Sequence, residues 1–330
     1  MRTRAAAALL LFAVFGASCG SGDPGAGPGV VLRYAYQPGD TLAYEMDASL
    51  DLDMTATGNP AAAAGMDASM VMTLTARLDL GFAVGPTPDT IEITVAQEVL
   101  EGGARMTTMG REVLIPLEDL AAQMEQEVVV VVDPQGRLVS AVVGGMALPA
   151  QMLAGLSAFG GGDMLTPQQF GPEFPEMGLA VGAEWETGQS ADVLGFSVSQ
   201  TGKHRVVAEE QLLGRIVYRI DSRITTRAIE MDLADLMESL RQSPELLGGA
   251  DPAELDVAMA QFEAVGVSVA VEMKESITTM TTWFDPAAGL VVRTLVETPM
   301  TMTMVMRGIP GGDVEVVMEM ATEQRLTLAA

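Results

Sequence analysis

The chain of 330 residues is 48% hydrophobic and 19% charged, enough apolar material for one large domain or two ordinary ones. Its net charge of -26 repels phosphate backbones and anionic headgroups alike, which excludes nucleic acid as a partner and direct, unanchored adhesion to a membrane surface. One Cys and one His rule out a disulfide framework, most zinc sites and every mechanism that needs two histidines.

Arg2 and Arg4 precede an apolar run from Ala5 to Ala17, and the small residues Gly16, Ala17 and Ser18 lead into Cys19. Residues 1–18 read as a secretory signal peptide, because the apolar run is shorter than the roughly 20 residues a membrane span needs. Gly20 to Gly29 is a Gly/Ser/Pro tract that cannot continue a helix, and 19–29 is therefore a flexible tether. A Cys at this boundary resembles the lipobox of bacterial lipoproteins, in which that Cys is acylated and becomes the first residue of the mature chain. The resemblance makes Cys19 the lipid attachment site and the membrane a partner through its acyl chains. It also implies an extracytoplasmic body, with the outer membrane preferred because Gly20 and Ser21 form no obvious retention signal. Gly16 stands where the motif usually has Leu, so secretion with an unacylated Cys19 is the alternative.

Residues 30–330 read as one large β-rich domain. Met46, Ala48, Leu50, Leu52 and Met54 alternate with Asp47, Ser49, Asp51, Asp53 and Thr55, the period of a strand with one buried face. Met70 to Leu80 repeats the pattern after the Gly58-Asn59-Pro60 turn signal, making the two antiparallel neighbours. Further strands are expected at Thr90 to Leu100, Ala104 to Leu114, Val128 to Val132 and Arg137 to Val143, with hairpin turns at Gly102-Gly103 and Asp133 to Gly136. The second half continues with Ala191 to Ser199, His204 to Glu210, Gly214 to Arg227, Val267 to Phe284, Leu290 to Met306 and Val314 to Leu328. Strands of such length must twist and curl, which favours a curved sheet or half-barrel.

Four amphipathic helices are expected at Pro116 to Gln126, Leu148 to Phe159, Ile229 to Gln242 and Asp251 to Ala264. The expected class is thus α+β, mostly antiparallel, with helices on one sheet face and the Thr-rich positions Thr278, Thr282 and Thr294 turned away from them. Asp133-Pro134-Gln135-Gly136 resembles Asp285-Pro286-Ala287-Ala288-Gly289, and Gly39-Asp40 before Tyr44 parallels Gly182-Ala183 before Trp185. Two related halves, 30–165 and 175–330, are one reading of this, and a common turn grammar is the other.

Leu32-Arg33-Tyr34, Gly39-Asp40, Tyr44, Val181 to Trp185, and Thr282 to Pro286 with Gly289-Leu290-Val291 together resemble a family of uncharacterised secreted bacterial lipoproteins with a domain of unknown function. That family carries no catalytic residues over to this chain. Its architecture is similar, by analogy, to the half-barrels of periplasmic lipoprotein carriers and mycobacterial lipid-handling lipoproteins.

Methionine is the compositional oddity, 24 in all. Met70 and Met72 share one strand face, Met300, Met302, Met304 and Met306 another, and Met318 and Met320 a third. Thioethers suit Cu(I), but no free Cys or second His completes such a site, and a deformable apolar lining is the simpler role. These eight residues are the expected lining for a lipid or other apolar ligand, against the alternative of a closed structural core. The acidic positions Asp47, Asp51 and Asp53 diverge along a strand and form no calcium loop. His204 reads as an exposed turn residue, and no nucleophile elbow or phosphate loop occurs, so neither an enzyme nor a cofactor is expected.

Overall fold

The computed structural model describes residues 29–59, 63, 66–87, 89–116, 128–143, 146–149, 171–193, 196–232, 266–308 and 312–329. Among these residues every regular element is a strand. They are β1 (Thr41–Gly58), β2 (Ala68–Val84), β3 (Ile91–Thr108), β4 (Arg111–Ile115), β5 (Val128–Val132), β6 (Leu138–Val143), β7 (Met146–Pro149), β8 (Glu184–Val193), β9 (Phe196–Leu212), β10 (Arg215–Thr226), β11 (Ile229–Asp232), β12 (Ser268–Met273), β13 (Ser276–Asp285), β14 (Leu290–Arg307) and β15 (Val314–Leu328). All belong to one antiparallel sheet in the order β7-β6-β5-β3-β2-β1-β15-β14-β13-β10-β9-β8, with β4 on β3 and the β11–β12 pair on β14.

Among the described residues the architecture is all-β, one open antiparallel sheet, and the expected α+β class is corrected. Ile229 to Asp232, placed at the start of a helix, is β11 and pairs with Met273 to Ala270. Leu148 and Pro149, also placed in a helix, lie in β7 against Ala141 and Ser140. Short apolar runs fit both periods, and in Ile229-Glu230-Met231-Asp232 the alternation, not the i to i+4 spacing, is the one the partner strand satisfies. The remainder of the four expected helices, like Cys19, the signal and most of the tether, lies outside the described residues.

Strand boundaries also differ in detail. Gly102-Gly103 is no turn: β3 runs through it, and the chain reverses at Met109-Gly110, both with positive φ. Gly102 instead sits just beyond a bulge, where Thr75 faces Glu101 but Ala76 faces Val99, and a Cβ there would strike Thr73 O. Ala191 to Ser199 spans a hairpin, with β8 ending at Val193 and β9 starting at Phe196. Val267 to Phe284 breaks at Lys274-Glu275 into β12 and β13.

Two turns show how far the sheet curls. Asp133, between β5 and β6, accepts bonds at Oδ1 from the N–H groups of Gln135 and Arg137, both 2.9 Å. Asp285, between β13 and β14, accepts in the same way from Ala287 at 2.9 Å and Ala288 at 3.0 Å. Tyr34 N–H donates to Pro134 O at 3.1 Å, and the adjoining Ala35 N–H donates to Gly289 O at 3.0 Å. Strands β5 and β14 are separated by four strands in the sheet, roughly 24 Å if the sheet were flat. Adjacent residues reach both turns only because the open sheet is strongly curled at this end.

The segment 30–36 crosses that end as a strap, bridged to Leu179 through Val30 with two 2.8 Å bonds. Tyr34 packs edge-on against Phe284 with centroids 5.5 Å apart and meets Phe174 at 5.1 Å, while Tyr36 stacks on Phe82 at 4.3 Å. Beneath the strap lie two core clusters, one around Tyr44, Leu78 and Val95 and the other around Leu32, Ile220, Phe284 and Val291. The Tyr44 hydroxyl joins them by donating to Val291 O at 2.8 Å, and burial holds that phenol well above its ordinary pKa.

Gly289 has φ of +65°, and a Cβ there would meet Ala35 Cβ and, at 2.6 Å, Ala35 N. Gly289→Ala should therefore cost at least about 2 kcal/mol, read as a lowered urea midpoint, since both the left-handed backbone and the strap resist it. Gly136→Ala, whose Cβ would press on the Tyr34 ring rather than on backbone, should cost less.

Candidate ligand-binding face

On the long strands the charged side chains keep to one parity, and the register carries that division sideways. On β1 Glu45, Asp47, Asp51 and Asp53 lie on one face and Tyr44, Met46, Ala48, Leu50, Leu52 and Met54 on the other. Met46 is opposite Ala76 and Leu326, and Leu52 is opposite Met70 and Met320. The same face holds for Gln200 to Val206 on β9, Ile220 to Thr226 on β10, Ser276 to Phe284 on β13, Thr294 to Met306 on β14 and Val316 to Leu326 on β15. Over these stretches every Asp, Glu, Lys and Arg points the other way.

The eight methionines singled out from the sequence all fall on this uncharged face, near the end remote from the strap. Met106, Met70, Leu52, Met320 and Met300 form one row across β3, β2, β1, β15 and β14. The next row is Met54, Met318, Met302 and Met273. Met72 faces Leu50 and Ala104, Met304 faces Val316 and Val271, and Met306 faces Val314 and Val269. Five strands make a row roughly 20 Å wide. Met72 is buried and the other seven are half-buried. Met54, Met106 and Met273 belong to the same rows, which no periodicity within single strands could reveal.

Toward β8, β9 and β10 the face changes from apolar to uncharged polar. His204, expected in an exposed turn, lies in mid-strand on β9 and is only 4% exposed. Its Nδ1 is 2.8 Å from Ser222 Oγ, its Nε2 is 2.9 Å from Thr187 Oγ1, and its ring stacks on Trp185 with centroids 5.0 Å apart. Desolvation lowers its pKa to about 4, so the ring is neutral at pH 7. Trp185 Nε1–H donates to Glu173 O at 2.9 Å, and burial raises the Glu173 carboxyl above its ordinary range. Gln200 Nε2 donates to Thr226 Oγ1 at 3.2 Å, whereas Gln200 Oε1 is buried with no hydrogen-bond partner. Thr282 and Thr294, expected on the face turned away from the helices, face each other in register on this same side, fully buried and with unpartnered hydroxyls. The missed signal is the even parity they share with Met280, Phe284 and Val296.

The opposite face is solvated and acidic. It carries an open groove of about 440 Å³ around Asp47, Ser49, Thr75, Glu101, Glu323 and Arg325, which touches none of the methionine rows. Among the described residues no group of three His, Cys, Asp or Glu is arranged to hold a metal ion.

No family model and no curated protein matches the chain. Among solved structures it is similar to lipovitellin, described for its lipid–protein interactions, at 10% identity and a TM-score of 0.38 over 90% of this chain. The chain spans 26% of lipovitellin's length. It is also similar to an outer-membrane channel from Pseudomonas putida F1, at 6% identity and a TM-score of 0.24 over 90% of this chain and 97% of that one. A Salmonella typhi OmpF–daunomycin complex follows at 7% identity and a TM-score of 0.20, over 88% and 100% of the two chains. Likenesses at these TM-scores carry no functional argument.

Proposed function

We propose that this chain is a non-enzymatic lipoprotein of the cell envelope, anchored through acylated Cys19, that holds a lipid or other apolar ligand against the methionine rows. One observation supports the reading above others: in a chain of net charge -26, a methionine-rich face crosses five strands without one charged side chain. Unbranched thioethers repack around ligands of differing shape at little cost, which suits an acyl chain better than a rigid core does.

Native mass spectrometry of wild-type protein extracted in mild detergent tests the ligand. A co-purifying apolar molecule, lost in Met302→Glu and Met320→Glu but kept in Met320→Leu, is the expected result, since each glutamate places an uncompensated charge in the apolar rows. A bare mass in the wild type would leave the structural reading, a closed core without ligand. For the anchor, Cys19→Ser should move the protein from the membrane to the soluble fraction, because acyl chains contribute about 0.8 kcal/mol per buried CH2. Identical fractionation of the two would remove Cys19 as the attachment site.

A further inference from the structure

We infer that the ligand is a neutral lipid with a hydroxyl-bearing head, of the acylglycerol class, its chain on the methionine rows and its head against Gln200 and Thr226. The inference rests on the ligand-binding reading above and adds the chemistry of the head. The uncharged face is laterally amphipathic. Across β1, β2 and the inward positions of β3 from Ile93 to Met106 it is apolar apart from Gln97. On β8, β9, β10 and β13 it offers Thr187, Gln189, Gln200, Thr226, Ser276 and Thr278. Val198, two residues before Gln200 on the same face, packs with Ile229 and Met273 and against Met300, so the polar band adjoins the methionine rows.

Two features select the head. First, the face carries no Lys or Arg along these stretches, so a carboxylate or phosphate placed on it would lose its hydration without gaining a counter-charge. That weighs against free fatty acids and anionic phospholipids. Second, Gln200 is 91% buried by its 9% exposure, yet one end of its amide has no partner. The unpartnered end is the amide oxygen, an acceptor, which the hydroxyl of a lipid head satisfies by donating.

The test measures equilibrium binding of radiolabelled 1-oleoylglycerol, oleate and dioleoylphosphatidylglycerol to the delipidated full-length protein at pH 7.5. Oleoylglycerol should bind at least ten-fold more tightly than either anionic probe. Gln200→Leu should weaken oleoylglycerol about ten-fold while leaving binding of hexadecane, which has no head, unchanged. Equal or tighter binding of oleate or the phospholipid overturns the head-group inference but leaves the apolar site standing. Equal weakening of hexadecane by Gln200→Leu also overturns it, because the effect then lies in packing. Failure of all four probes to bind overturns the ligand-binding reading itself.

Discussion

Phe284→Ala should lower the unfolding free energy by about 3–5 kcal/mol. Phe284 is fully buried, meets Phe174 at a centroid distance of 4.7 Å and receives the edge of Tyr34 from the strap. Truncation opens a cavity beneath strap and sheet together, and both turns that grip residues 34 and 35 lose their backing. Phe284→Leu retains most of the volume and should cost under about 2 kcal/mol. Urea titration followed by the fluorescence of Trp185 and Trp283 measures both, and equal midpoints for Phe284→Ala and the wild type would show that the strap is not seated on the core.

The second large effect is acid sensitivity. His204 is held neutral in the native state with a pKa of about 4, against 6.5 when exposed. Between those values the unfolded chain binds a proton that the folded chain does not, so stability falls as pH drops from about 6.5 to 4 and then levels off. The full loss is about 3 kcal/mol. Glu173 acts in the opposite sense: its raised pKa makes the native state the better proton acceptor just above the ordinary carboxyl range, which softens the lower part of the fall. Asp285 contributes only further down. Burial pushes its carboxyl up, but the Arg215 ion pair at 2.8 Å and the Ala287 and Ala288 N–H bonds outweigh that and hold it low. His204→Asn should flatten the slope between pH 6.5 and 4 in urea midpoints, and a slope unchanged by the substitution would assign it to other groups.

Much of the sheet was legible in the sequence because alternation sustained over a long strand has only one explanation. Met46 to Met54 and Met70 to Leu80 could not be helical, and their pairing follows from the turn between them. Where runs were short the two periods became degenerate, as at Ile229 to Asp232. The bulges at Thr75/Ala76 and Arg219/Ile220 are set by a partner strand and leave no local mark. The methionine rows were half legible. Parity placed each residue on a face, but only the register joined Met70 to Met320 through Leu52. His204 was misread because Thr201-Gly202 looks like a turn, whereas Gly202 is the residue that lets the imidazole and Thr187 lie close above it: a Cβ at Gly202 would come within 2.6 Å of His204 Nε2.

The placement of β15 has a consequence for biogenesis. It lies in the middle of the sheet, between β1 and β14, although it follows all the other described strands in the chain. Gln324 reaches Met46 from 278 residues away. While the chain is being made, β1 therefore waits with one edge bare until β15 has emerged, and β14 does likewise for a shorter time. Closing so long a loop is entropically slow, and a bare edge of alternating Met, Leu and Asp is a template for the wrong partner. Two flanking groups of strands, β1 to β7 and β8 to β14, pair among themselves, and β15 is the strand that joins them.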